Sequence, residues 1–185
     1  MANLRFVVTG GPGAGKTTTL EALAERGFLC LPESARAIIR QRKAAGLSPR
    51  SAPEQFGTEM LNADIAKYRE TPVYNQPVFF DRSVWDALGF LYFLGALSEA
   101  EVAAYGQEFQ YNETVFLMPP WREIYRVDTE RDQSFGDAIT VGETIRQWYR
   151  RWHYTVIEVP RGSVEERAAF ILQTITRSSS SKFPV

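Results

Sequence analysis

Residues 10 to 17 read Gly-Gly-Pro-Gly-Ala-Gly-Lys-Thr directly after the apolar run Phe6-Val7-Val8, so a short strand hands over to a loop with almost no side-chain bulk. The segment matches the Walker A pattern GxxxxGK(S/T). Backbone N–H groups in such a loop can turn inward and cradle the β- and γ-phosphates of a nucleotide. Gly11, Pro12, Gly13, Ala14 and Gly15 form the expected cradle together with Lys16, Thr17 and Thr18. Lys16 supplies a mobile cation to the same oxygens, and the Thr17 hydroxyl is the expected Mg2+ ligand. Residues 17–25 continue with helical character, which puts the positive end of a helix dipole beneath the anion.

Short apolar runs alternate with longer helical patterns along the rest of the chain, which argues for an α/β fold with a parallel sheet and crossover helices. Strands are predicted near 4–9, 28–32, 77–81, 113–118 and 154–159. Helices are predicted near 16–26, 34–45, 52–69, 83–94, 98–107, 121–151 with a break, and 164–177. Ser163-Val164-Glu165-Glu166 is a capping box that starts the last of these. One domain over residues 1–177 is expected, with the Ser-rich segment 178–185 as a frayed tail. Ile145, Trp148, Tyr149 and Trp152 recur at helical spacing and are read as core packing.

At 185 residues the chain is long enough for one sizeable core. Its 21 Lys and Arg balance 22 Asp and Glu, so there is no strong basic field to hold a polynucleotide. The single cysteine, Cys30, excludes an intramolecular disulfide and is read as a small hydrophobe on the second strand. His153, the one histidine, has no carboxylate or cysteine at ligand spacing. The N-terminus enters the first strand at once, and the most apolar stretch, Leu88 to Leu97, is about half of a membrane span. A cytoplasmic protein without membrane contact is therefore expected.

Three further segments carry phosphate chemistry. Pro77-Val78-Phe79-Phe80-Asp81 is an apolar strand ending in an acid, the form of a Walker B element, with Asp81 at the carboxyl end where open α/β sheets bind ligands. Asp81 is thus a second candidate ligand for Mg2+ beside Thr17. Arg82 follows it and can reach a substrate or phosphate oxygen. The second strand ends at Leu31-Pro32-Glu33, so Glu33 reaches the same sheet edge and is the candidate general base toward an acceptor hydroxyl. Arg36, one helical turn on, can orient Glu33 or bind an anionic substrate group. After the fourth strand, Arg122 and Arg126 would share a helical face, and a break at Asp128-Thr129, with Thr129 capping a new helix against Asp132, would let Arg126 and Arg131 converge. That segment, about 119–136, is expected to be a helical lid that excludes water and brings cations to the transferred phosphoryl group.

With these residues in view, the chain resembles the small P-loop kinases of nucleosides and related metabolites. It is most similar to the AAA_28-type ATPase/kinase family, which is related to the nicotinamide riboside kinase domain of bacterial NAD-biosynthesis regulators. The resemblance runs through Phe6 to Thr18, Pro32 to Arg36, Val78 to Arg82, Val115 to Trp121 and Pro160-Arg161. It implies a P-loop NTPase three-layer sandwich with sheet order 2-3-1-4-5 and Mg2+-dependent use of ATP. Deoxynucleoside kinases use an acid after the second strand as base and an acid-Arg-Ser element after the third, which fall on Glu33 and on Asp81-Arg82-Ser83. Pro160-Arg161-Gly162-Ser163 is similar to the adenine-binding loop of this superfamily, which gives Arg161 a role in nucleotide binding.

The first functional expectation is a kinase that moves the γ-phosphoryl of ATP to a hydroxyl of a small molecule, with Lys16, Glu33, Asp81, Arg126 and Arg131 as the catalytic set. A switch-type ATPase reporting to a protein partner is the alternative, and a polynucleotide 5′-kinase is a third. No guanine-reading (N/T)KxD signature occurs, which favours ATP. Phe56, Tyr68, Trp85 and Tyr111 are candidate pocket residues for the acceptor.

Overall fold

The computed structural model describes residues 3–125 and 134–180. Five strands form the sheet: β1 (Arg5–Gly10), β2 (Leu29–Leu31), β3 (Val78–Asp81), β4 (Thr114–Met118) and β5 (Thr155–Glu158). Around them run α1 (Lys16–Glu25), α2 (Ser34–Ala44), α3 (Pro53–Glu70), α4 (Val84–Phe93), α5 (Glu99–Glu108), α6 (Phe135–Arg151) and α7 (Val164–Ser180). All strand pairs are parallel and their order is β2-β3-β1-β4-β5, as the family resemblance implies.

Side chains alternate across the central strands, and this period of two builds a three-layer sandwich. Val7, Phe80 and Val115 face one core with Trp85, Leu88, Leu91, Trp148 and Tyr149 of α4 and α6. Phe6, Val8, Phe79 and Phe116 face the other, against Leu20 and Leu23 of α1 and Ala168 and Ile171 of α7. β1 lies between β3 and β4, and all but its first residue are buried because both faces are covered.

Helix starts are set by short polar signals. Ser83 with Asp86, Ser98 with Glu101 and Ser134 with Asp137 form capping boxes at α4, α5 and α6. The expected box at Ser163 also forms, with the Ser163 backbone N–H donating to Glu166 Oε2 at 2.7 Å and the Glu166 N–H returning to Ser163 Oγ at 3.2 Å. Two expectations need correction. Residues 121–125 are a turn, in which Tyr125 N–H donates to the Trp121 carbonyl at 3.0 Å, and are not the first part of a helix. Arg122 therefore lies in a turn and on no helical face. The helix that follows is capped by Ser134, while the expected cap Thr129 and its partner Asp132 lie outside the described residues. α7 also continues to Ser180, three residues into the segment expected to fray. The aromatic stripe of α6 packs as core, with Trp148 donating to the Trp85 carbonyl at 2.8 Å. His153 is the turn residue between α6 and β5, at φ 63°.

Candidate active site

The turn from β1 into α1 depends on backbone that only small residues tolerate. Gly15 sits at φ +80°, and a Cβ there would lie 2.3 Å from Arg167 Nη1. Gly13 sits at φ +70°, and a Cβ there would lie 2.5 Å from the Tyr125 ring. The loop is thus pressed from outside by α7 and by the turn after β4, so glycine is needed for space as well as for conformation. Lys16, the first residue of α1, is buried, and its Nζ donates to the carbonyls of Gly10 at 3.2 Å and Gly11 at 3.1 Å. Burial first and the Arg82 guanidinium second hold its pKa below the ordinary lysine value, while Asp81, Glu33 and Asp86 oppose that shift. Thr17 and Thr18 are exposed at the start of α1, and Thr18 Oγ1 donates to the Gly15 carbonyl at 3.1 Å.

Two carboxylates meet this loop from neighbouring strands. Asp81 ends β3 in register with Val8 of β1, and Glu33 follows β2. Thr17, Glu33 and Asp81 line one cavity of about 260 Å³ at the carboxyl edge of the sheet, together with Arg36 and Arg40. Asp81 is 3 % exposed, and its Oδ1 has no hydrogen-bond partner among the described residues. Burial pushes its carboxyl above the usual range, against the pull of Lys16. An orphaned buried oxygen beside a free-facing threonine hydroxyl suits a hard divalent cation, which takes oxygen ligands. Thr17 and Asp81 fit Mg2+ on that ground.

Glu33 is held differently. Arg82 Nε donates to its Oε1 at 3.0 Å and Arg36 Nε to its Oε2 at 3.2 Å. Burial alone would raise its pKa, but Arg82, Lys16 and Arg36 more than reverse this and lower it to about 2. Arg82 is a non-glycine residue at φ 63°, a strained conformation that persists only where its surroundings enforce it. Its remaining nitrogens show what enforces it. Nη1 donates to Asp86 Oδ1 at 3.3 Å and Nη2 to the Gly10 carbonyl at 3.0 Å. Arg82 thereby ties the loop, the acid after β2 and α4 together, and its charge is stabilised by Glu33 and Asp86 despite burial.

Sequence reasoning did not single out Asp86, the hydroxyl of Tyr149, or Arg167. Asp86 accepts from Thr9 Oγ1 at 2.5 Å and from the Ser83 N–H at 3.0 Å, while Tyr149 OH donates to it at 2.6 Å. The spacing Ser83-x-x-Asp86 is a capping signature and was the available clue. Arg167 Nη1 donates to the Ala14 carbonyl at 3.4 Å and its guanidinium lies 5.7 Å from the Trp121 ring centroid, with no local signal in the sequence.

The other expected residues fall as follows. Arg161 is exposed and donates to the Pro120 carbonyl at 3.0 Å, joining the loop after β5 to the end of β4. Arg122 stacks on Phe135 at 5.0 Å. Arg126 and Arg131 lie outside the described residues. Of the four aromatic candidates for the acceptor pocket, Phe56 lines a cavity near the site, of about 580 Å³, with Pro12, Glu33, Arg82 and Phe90. Trp85 and Tyr111 are buried core residues, and Tyr68 packs on Phe109 and Tyr111, because large rings between helices bury more apolar area there than a cavity wall would allow. Cys30 is half-buried on β2, and burial pushes its thiol up to about 11.

The model of the AAA_28 family, described as an AAA domain, matches residues 5–167. The chain belongs to this family. No curated protein matches this AAA domain in sequence. Among solved structures, it is similar to deoxyadenosine kinase from M. mycoides. With the products dCMP and a flexible dCDP bound, that enzyme superposes with a TM-score of 0.65 at 14 % identity, over 94 % of this chain and 98 % of the other. With bound dATP the TM-score is 0.61 at 13 % identity, over 93 % and 99 % of the two chains. With bound dCTP it is 0.53 at 15 % identity, over 94 % and 99 %. This AAA domain therefore has the fold of the P-loop kinases.

Proposed function

We propose that this protein transfers the γ-phosphoryl group of ATP to a hydroxyl of a nucleoside-like small molecule, with Mg2+ as its metal. One observation carries the reading: Asp81, with its orphaned buried oxygen, and Glu33, held ionised by two arginines, flank the P-loop at one sheet edge, and a larger cavity opens beyond Glu33. A pure hydrolase needs room for water only. The second cavity supports a bound acceptor, and the likeness in fold to a deoxyadenosine kinase supports one that resembles a nucleoside.

The backbone of residues 11–15 would hold the phosphates, and Lys16 would leave the Gly10 and Gly11 carbonyls to meet them. Thr17 and Asp81 would hold the metal, which when bound draws charge off the phosphoryl oxygens. Glu33 orients the acceptor hydroxyl. A carboxylate with a pKa near 2 takes a proton from an alcohol only late, once the oxygen is bonding to phosphorus and its own acidity has risen. Arg36 and Arg82 keep Glu33 ionised and aimed, since each leaves a lone pair on its oxygen for the incoming hydroxyl. The segment from 119 to 136 acts as a lid in this scheme, with Arg126 and Arg131 delivering charge to the transferred group and Arg161 near the adenine. The contacts of Tyr125 and Ile124 against Gly13 and Gly15 support it. The test is a screen of purified protein with ATP and Mg2+ against pooled nucleosides, vitamins, amino sugars and antibiotics, read by mass spectrometry for an added phosphate. ATP hydrolysis with no phosphorylated product from any pool would favour a switch-type ATPase and sink the reading.

A further inference from the structure

The cavity of about 580 Å³ beyond Glu33 contains a carboxylate that phosphoryl transfer does not use. Asp64 of α3 is 5 % exposed and lines this cavity with Phe56, Met60 and Phe90. Its Oδ1 accepts from Ser34 Oγ at 2.5 Å and from Lys67 Nζ at 2.9 Å. Its Oδ2 accepts no hydrogen bond among the described residues. Glu33 and Asp86, which line the same cavity, have protein donors on both oxygens. Glu33 has an arginine on each oxygen, and Asp86 has Thr9 and Arg82 on Oδ1 and Ser83 and Tyr149 on Oδ2.

We propose that Asp64 is a specificity-determining residue, whose Oδ2 accepts a hydrogen bond from an amino group on the planar ring of the acceptor. The inference rests on the nucleoside-like reading above and names the part of the acceptor that is selected. Phe56, Met60 and Phe90 offer apolar surface for a flat ring, and Glu33 marks the end where the hydroxyl must sit. Ser34 directly follows Glu33 and bonds Asp64, so the acid proposed to meet the hydroxyl and the acid proposed to meet the ring line one cavity. Lys67 is anchored on the Pro32 carbonyl at 2.7 Å and balances the Asp64 charge from the side of Oδ1. With Lys67 already paired to the carboxylate, a neutral N–H donor suits the remaining oxygen. A ring carbonyl at the same point would face a carboxylate oxygen and leave both unpaired, which is the arrangement sites reject most strongly. Burial, opposed by Lys67 and Ser34, raises the Asp64 carboxyl above its ordinary range.

The test uses matched pairs that differ in this group: adenosine against inosine and cytidine against uridine, each as ribo- and deoxyribonucleoside. The wild-type chain should prefer the amino member by about 10- to 100-fold in kcat/KM, the range of one charge-assisted hydrogen bond, with most of the effect in KM. Asp64→Asn, which can present either an amide oxygen or an amide N–H, should bring the ratio below about threefold. Competition binding to the wild-type chain measures the same ratio if the variant does not fold. A wild-type ratio within threefold for both pairs, or a folded Asp64→Asn protein that keeps the wild-type ratio, overturns the role of Asp64 while leaving the kinase reading intact. Binding of none of the eight nucleosides by a protein that still binds an ATP analogue refutes the nucleoside-like acceptor itself, and this inference with it.

Discussion

Replacing Tyr149 by Phe removes one buried oxygen and nothing else, and that oxygen joins α6 to the arginine that organises the site. Tyr149 is fully buried, and burial followed by the neighbouring Asp86 raises its pKa well above the ordinary value, so it remains a donor throughout the physiological range. Its proton goes to Asp86 Oδ2 at 2.6 Å, which leaves the Ser83 hydroxyl, 2.8 Å away, as donor to the Tyr149 oxygen. The substitution leaves Asp86 Oδ2 with the Ser83 N–H at 3.0 Å, so the carboxylate is weakened but not orphaned. A hydrogen bond to a charged group is worth about 1.5–3 kcal/mol, and no cavity of consequence opens. Stability should fall by about 2 kcal/mol, which for a chain of this size is about 4–8 °C in Tm. Phosphoryl transfer should fall less than about tenfold, because Arg82 keeps Glu33 and the Gly10 carbonyl. Urea unfolding and calorimetry measure the first, and kcat on the acceptor measures the second. A double-mutant cycle with Asp86→Asn isolates the pair. A Tm within about 1 °C of wild type would refute the energetic argument. A hundredfold loss of transfer without loss of stability would instead move Tyr149 into the chemistry.

The two carboxylates at the sheet edge should separate by phenotype. Asp81→Asn should chiefly raise the Mg2+ concentration needed for turnover, whereas Glu33→Gln should leave ATP binding near normal and slow transfer by about 10² to 10⁴; an unchanged kcat for Glu33→Gln would remove it from the mechanism. Glu33 also predicts an acid limb of stability. Its folded pKa of about 2 is below the ordinary 4.5, so its contribution, on the order of 3 kcal/mol, is complete above pH 4.5 and is lost as pH falls toward 2. Urea midpoints of wild type should converge on those of Glu33→Gln across that window, and parallel curves would show that the ion pairs with Arg36 and Arg82 add nothing. Arg131→Ala should cut transfer strongly while hardly changing ADP affinity, because the charge acts where the γ-phosphoryl moves. Transfer at the wild-type rate would return residues 119–136 to the status of a surface segment.

What could be read from the sequence follows from how far apart the interacting residues lie. The P-loop, the five strands, the Ser163 box and the Glu33–Arg36 pair are all local: spacing of a few residues determines each, and backbone periodicity carries the signal. Asp86 and Tyr149 are 63 residues apart, and Arg167 is 153 residues from the Ala14 carbonyl it meets. No periodicity links such pairs, and each side chain has an ordinary local explanation, as a helix cap, a member of an aromatic stripe or a polar residue of the last helix. The turn at 121–125 escaped for a related reason. Its charged residues suit a helix, but Tyr125 and Ile124 gain more by lying on the glycines of the P-loop than by continuing a regular helix.

Arg82 shows how the two kinds of information combine. Its position after Asp81 marks it as a candidate, yet its neighbours in sequence do not explain a left-handed backbone that costs of order 1–3 kcal/mol. The compensation comes from three separate elements: Glu33 after β2, Asp86 on α4 and the Gly10 carbonyl at the end of β1. Each contact alone is too weak to hold a partly buried guanidinium in a strained turn. Together they satisfy its charge from two sides and aim Nε at the carboxylate proposed to receive the acceptor proton. The strain is therefore tied to the aim of Glu33, and Arg82→Gly, which relieves the backbone while removing the guanidinium, sets the two against each other. Transfer should fall by about 10², the low end of the loss expected for Glu33→Gln, because Arg36 alone holds the carboxylate by one oxygen. Activity within a few-fold of wild type would mean that the conformation at residue 82 serves the turn into α4 and has no part in catalysis.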